Sequence, residues 1–134
     1  MLRKCYACIS DDLLVVDSTS IGNHYNNKLK ITNNMAKYSI DEGNKFDNCP
    51  YEKKENTKVL LTTGADNTFS KMNIYDLSGN VWEWVLSKPT NTTNTCANRG
   101  ESYISGGNVR QANYQGDDII GSKCNYTGFR VTMY

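Results

Sequence analysis

The sequence predicts a loop-rich domain built from short strands, with little helix. Three observations lead there. Apolar runs are brief, and several alternate with polar residues at the period of a half-buried strand. No segment sustains an apolar stripe at helical spacing. Between the runs lie stretches rich in Asn, Thr, Ser and Gly, which turns favour because these residues tolerate left-handed backbone or bond their own main chain.

Taken in chain order, Leu13-Leu14-Val15-Val16 opens a strand over 13–17 that Ser18-Thr19-Ser20 ends. Residues 28–32 set Leu29 and Ile31 against polar neighbours, the alternation of a second strand. Residues 44–56 are polar, hold Pro50 and read as loop. Residues 59–63 form a strand stopped by Gly64. The clearest strand is 81–85, with Val81, Glu83 and Val85 on one face and Trp82 and Trp84 on the other. Residues 87–98 are a Thr/Asn loop around Pro89, and Tyr103-Ile104 and 129–133 are the last strands. A short helix fits before Tyr75 or near the N-terminus. There is no internal repeat and no linker, so 1–134 reads as one domain, part of a larger unit.

Composition narrows the function classes. The chain has 134 residues, 38% of them apolar, so its core is small for its length. Fifteen basic residues face 14 acidic ones, which leaves no electrostatic footprint for nucleic acid or an anionic membrane. No apolar run is long enough to span a bilayer. No apolar h-region follows Met1-Leu2-Arg3-Lys4-Cys5-Tyr6, so no signal peptide is visible. The chain enters a strand almost at once, as an internal fragment does, and a surface or extracellular location is open to such a fragment.

Five cysteines are present, an odd number. Cys5 and Cys8 have redox-pair or half-zinc-site spacing, but no second ligand pair follows, and small core residues are the plainer reading. Cys96 and Cys124 flank the C-terminal segment and would be able to pair in an exported protein. His24 is the only histidine, with no base or ligand partner at a recognisable spacing. Asn91-Thr92-Thr93 and Asn125-Tyr126-Thr127 are glycosylation sequons, relevant only to a secreted eukaryotic chain.

One stretch stands out: Asn73-Ile74-Tyr75-Asp76-Leu77-Ser78-Gly79-Asn80-Val81-Trp82-Glu83-Trp84, which holds both tryptophans around a carboxylate. Large indoles need tight packing and an N–H partner, so this pattern marks a strongly specified region. The stretch resembles the G-L-Y-D-M-x-G-N-V-W-E-W signature of the formylglycine-generating enzyme (sulfatase-modifying factor) family. Arg99-Gly100-Glu101-Ser102-Tyr103 resembles the family's R-G-G-S-[WY], and Gly128-Phe129-Arg130-Val131 resembles its G-F-R-[VL] ending. Three signatures in order outweigh one. They span 73–134. Residues 1–72 carry no such landmark and read as a divergent N-terminal part.

The resemblance implies an α+β, C-type-lectin-like fold with short antiparallel strands and long loops. It gives Gly79-Asn80 a tight turn with positive φ and makes Trp82 and Trp84 core anchors. Arg99 and Arg130 become internal partners for the acids Asp76 and Glu83, and Gly128 and Phe129 structural residues of the ending.

For function, the resemblance implies a copper(I) oxidase that converts a substrate cysteine to formylglycine, its metal held by two thiolates just after R-G-G-S-[WY]. Here that stretch reads Ile104-Ser105-Gly106-Gly107-Asn108-Val109-Arg110, and Ser105 and Arg110 stand at the thiolate positions. Neither replaces a soft thiolate, so copper and the oxidase chemistry are not expected. A second branch uses non-haem iron on a histidine triad, which this chain cannot supply. The family also implies calcium, held by the Ser78, Gly79 and Val81 carbonyls and the Glu83 carboxylate; the plainer reading is a strand acid paired with Arg99 or Arg130.

The leading expectation is therefore a non-catalytic ligand-binding or structural module of bacterial or phage origin, its ligand a protein or glycan. The alternatives are a divergent or truncated oxidase, or a variable binding protein of a diversity-generating retroelement. In those proteins the variable segment lies between the second and third signatures. Here that segment offers Tyr103, Ser105, Asn108, Asn113, Tyr114, Asp117, Asp118, Asn125 and Tyr126, the rigid-aromatic and small-polar mix of a paratope. AT-rich codons and an ordinary surface loop explain the same residues.

Overall fold

The computed structural model describes residues 16–70, 74–119, 121 and 124–129. Eleven short strands and two single 3-10 turns make up the regular structure of these residues. The strands are β1 Gly22–Asn23, β2 Leu29–Ile31, β3 Lys37–Ser39, β4 Asp47–Asn48, β5 Tyr51–Lys53 and β6 Leu60–Leu61. They continue with β7 Ser78–Gly79, β8 Trp82–Val85, β9 Cys96–Arg99, β10 Gln115–Asp118 and β11 Thr127–Gly128. The fold is the expected loop-rich one with mostly antiparallel strands; its helical content among the described residues is the turns Thr19–Ile21 and Asn67–Phe69. No helix among these residues is long and apolar enough to cross a membrane.

Four small sheets result. The largest runs β10-β9-β8-β11, with β11 parallel to β8 and the other pairs antiparallel. A β4-β3-β6 sheet and a β2-β5 pair lie in the N-terminal half. β1 and β7 pair in parallel, Gly22 opposite Ser78 and Asn23 opposite Gly79.

The apolar core gathers Ile31, Ala36, Cys49, Val59, Leu61, Ala65 and Phe69, all from residues 31–69. Tyr38 and Tyr51 stack at its edge, ring centroids 3.8 Å apart. Burying a Leu, Ile or Phe side chain stabilises by about 1.5–3 kcal/mol, so the segment without family landmarks supplies the larger apolar contribution.

The strands expected at 28–32, 59–63 and 81–85 appear as β2, β6 and β8. The loop read at 44–56 instead holds β4 and β5. Its polarity misleads because Lys53 is itself buried, its ammonium donating to the His24 carbonyl, to the Asn27 carbonyl (3.1 Å) and to Asn27 Oδ1 (2.9 Å). The 87–98 loop stops earlier than expected, at β9. Tyr103-Ile104 is a turn, not a strand: Tyr103 N donates to Asn80 O (3.0 Å) and Ser105 N to Ser102 O (3.3 Å). Most of the strands read at 13–17 and 129–133, with Cys5, Cys8 and Arg130, lie outside the described residues. Cys96 and Cys124 are free thiols.

Candidate functional site

The signature stretch forms a polar hub. Gly79 (φ +72) and Asn80 (φ +61) both take left-handed backbone. Asn80 is buried, and its side chain replaces a strand partner for Leu61: Oδ1 accepts from Leu61 N (3.0 Å) and Nδ2 donates to Leu61 O (2.9 Å). Asn23 Nδ2 bridges Asn80 Oδ1 (3.1 Å) and Val59 O (2.7 Å), and Asn80 N donates to Asn23 O (2.8 Å). This hub joins the N-terminal sheets to β7 and to Tyr103. Asp76 (φ +51) is buried and accepts from Gly64 N at 3.1 Å.

His24, unpaired in the sequence reading, has a partner in space: its Nε2 lies 3.1 Å from Ser78 Oγ, and both residues are fully buried. Burial, with Lys53 nearby, lowers the His24 pKa from its ordinary value to about 4. The fold therefore holds the neutral imidazole. Because the folded pKa lies below the unfolded one, the associated stability is complete above about pH 6.5 and is lost as pH falls through about 4. We expect a loss of about 3 kcal/mol across that window from this group. Urea titrations at several pH values check it: His24→Gln should flatten the acid slope relative to wild type, and an unchanged slope refutes the assignment.

The second and third signatures frame a surface built on β8. Trp82 is buried, and Arg110 lies over its ring at 6.0 Å from the centroid and over Tyr114 at 5.5 Å. The two rings are themselves 6.0 Å apart and tilted. Glu101 lies behind Arg110, fully buried, with φ +63. Its Oε1 accepts from Ser102 N (3.0 Å), while Oε2 sits 3.9 Å from Arg110 Nε without a hydrogen bond. Burial pushes the Glu101 carboxyl above its ordinary value, offset in part by Ser102, Ser105 and Arg110.

The loop carrying Arg110 is fixed from outside. Ser18 N donates to Gly107 O (2.9 Å) and Ser18 Oγ accepts from Ala112 N (2.8 Å). Asn26 accepts from Gly107 N (3.2 Å) and donates to Asn108 Oδ1 (2.9 Å). Gly107 is required here, since a Cβ would stand 2.7 Å from Thr19 Cα.

The expected site residues separate in space. Asn108, Asn113 and Tyr114 are exposed, with Ser105 half-buried beside them. Tyr103 is not on that surface: it is 1% exposed, drawn inward by its turn beneath Asn80. Asp117 accepts from Thr90 and Asn91 and pins the 87–95 loop, Asp118 Oδ1 caps Ile119 N (2.7 Å), and half-buried Tyr126 accepts from Trp82 N (2.7 Å). Trp84 is only half-buried and Phe129 is 78% exposed, so of the expected aromatic anchors Trp82 alone is deeply packed. Gly128 pairs with Glu83 on β11. Arg99 stands directly across from Glu83 in the β8–β9 register and donates to Asn113 O (2.7 Å) and Gln115 Oε1 (2.9 Å).

The copper positions implied by the resemblance lack a soft donor pair. At the copper positions a hydroxyl and a guanidinium replace two thiolates, and a guanidinium repels a cation. At the calcium positions the Ser78 carbonyl is pressed against Gly22 and Glu83 faces Arg99. Among the described residues no three His, Cys, Asp or Glu side chains gather as metal ligands.

Sequence reasoning missed Glu101 and Arg110 as a unit. The available signal was the departure from R-G-G-S-[WY], where Glu101 takes a glycine position and keeps its left-handed backbone. In comparison with protein families, residues 17–133 match the sulfatase-modifying factor enzyme 1-like domain, which reaches well upstream of the three signatures. No curated protein and no solved structure gives a significant match.

Proposed function

The chain belongs to the sulfatase-modifying factor enzyme 1-like family, and we propose that within it this domain binds a ligand rather than oxidising a cysteine. The observation that carries the reading is Arg110. It occupies a position where the oxidase needs a thiolate, and it is held there by Trp82, Tyr114 and Glu101. A cation so placed repels copper(I), and Ser105 offers only a weak hard donor. The exposed side chains around it, Asn108, Asn113 and Tyr114, suit a recognition surface on a loop held by a rigid scaffold.

The test is a turnover assay. The purified chain is loaded with copper(I) and given oxygen and a cysteine peptide, and aldehyde is read by mass spectrometry. We expect none above the metal-only blank, and also none for Ser105→Cys alone, because Arg110 remains. Copper-dependent aldehyde from wild type overturns the reading. Calcium at Ser78, Gly79, Val81 and Glu83 is a separate proposal resting on the motif. A rise in melting temperature with calcium, abolished by chelator and by Glu83→Ala, supports it; no rise rejects it.

A further inference from the structure

Arg110 is an exposed cation with an unusual amount of support. Its side chain is 46% exposed, and Glu101 approaches only Nε, from the buried side. Among the described residues, no hydrogen bond uses its two terminal nitrogens. Trp82 and Tyr114 flank the guanidinium, its Cζ 6.0 and 5.5 Å from their ring centroids, so less side-chain entropy is lost when an anion arrives. A planar guanidinium fork held this way matches a carboxylate in bidentate fashion.

The surroundings narrow the ligand further. Glu101 lies behind the guanidinium, so a single negative charge suits this place better than a phosphate dianion. Tyr114 is 42% exposed and offers a ring edge and face beside the fork. The turn that joins Arg110 to Tyr114, closed by Tyr114 N donating to Gln111 O (2.9 Å), also carries two amides. Gln111 Nε2 is used by the Val16 and Asn108 carbonyls, which leaves its Oε1 as an acceptor. The Asn113 side chain is exposed and offers both a donor and an acceptor. Charge, aromatic surface and paired donor–acceptor amides together fit a ring that bears a carboxylate and hydroxyls.

We propose that Arg110 anchors a calcium-independent site for an acidic sugar, its guanidinium taking the carboxylate while Tyr114 packs against the sugar's C–H face. Asn113 and Gln111 then receive hydroxyl groups. This deepens the binding reading above and rests on it; it gives that surface a ligand class.

The test titrates the isotope-labelled full chain with sialyllactose, with lactose as the neutral control and an Asp/Glu-rich peptide as the alternative carboxylate, all in chelator. Saturable shifts with sialyllactose, centred on the Arg110 side chain and Tyr114, are expected, with lactose at least about tenfold weaker. Arg110→Gln should abolish the binding. Arg110→Lys should weaken it about tenfold, because an ammonium keeps the charge and loses the fork. Tyr114→Ala should weaken it several-fold while leaving the melting temperature near wild type, which guards against misfolding of the Arg110 variants. Equal binding of lactose, retained binding in Arg110→Gln, or no saturation by about 20 mM sialyllactose overturns the proposal. Arg110-dependent binding of the peptide in place of sialyllactose also overturns the sugar assignment but keeps the binding module. Only the copper-dependent turnover described above sinks the module itself, so the two failures are distinct.

Discussion

Gly22→Ala should abolish the native fold. Gly22 has extended backbone (φ −171), a conformation open to every residue, so no backbone strain is involved. The obstacle is contact. A Cβ there would stand inside van der Waals range of the Ser78 carbonyl oxygen and 2.6 Å from its carbon, and both are main chain that cannot swing aside. Across the same strand pair a Cβ on Gly79 would meet Asn23 main-chain atoms at 2.8 and 2.9 Å. Making room means separating β1 from β7, which pulls Asn23 out of the Asn80 hub. A loss of more than about 4 kcal/mol is expected, enough to leave a marginal domain unfolded. Loss of dispersion in the proton–nitrogen correlation spectrum reads this directly. Gly121→Ala is the control: nothing lies within 4 Å of its Cβ, and only its φ of +91 opposes the change. It should cost about 1 kcal/mol. A folded Gly22→Ala protein with wild-type stability would show that β1 and β7 are not this close.

Asn80→Ala comes next. The side chain makes three hydrogen bonds in a buried setting, to both polar groups of the Leu61 main chain and to Asn23 Nδ2. Removing it strands the Leu61 N–H and C=O away from water, at about 1–3 kcal/mol for each unsatisfied group. Alanine also dislikes the left-handed backbone at φ +61, by about 1 kcal/mol. The sum is about 4 kcal/mol, or a fall in melting temperature of about 15 °C for a domain this size. Asn80→Gly separates the two causes. It keeps the hydrogen-bond loss and removes the strain, so it should be more stable than Asn80→Ala by about 1 kcal/mol. Equal melting temperatures for wild type and Asn80→Ala would place the Leu61 hydrogen bonds elsewhere.

Much of this was legible before any coordinates. Period-two alternation located β2 and β8, and a short apolar run stopped by Gly64 located β6. Both signals failed at β5, since a strand that buries Lys53 carries no apolar signature. Gly79-Asn80 announced a left-handed turn, but not that Asn80 reaches 19 residues back to Leu61, a contact set by topology alone. The aromatic-rich segment after the second signature suggested a recognition surface. Burial then divided it, sending Tyr103 inward and leaving Asn113 and Tyr114 outside. The pairing of Arg110 with Glu101 was not legible, because the sequence marks each only as a departure from a signature; the fold brings them together and sets Arg110 over Trp82.

The way the 106–114 loop is held has an evolutionary consequence. Many of its fastenings from the rest of the protein fall on its main chain: Ser18 and Asn26 bond Gly107 N, Gly107 O and Ala112 N, while Asn108, Arg110 and Gln111 add side-chain grips. The apolar core lies elsewhere, between Ile31 and Phe69. Side chains at Val109 and Asn113 can therefore be exchanged with little thermodynamic penalty while the loop's path is preserved. Such a scaffold separates the residues under selection for folding from those under selection for specificity, and lets a lineage explore new ligands without first acquiring a more stable protein.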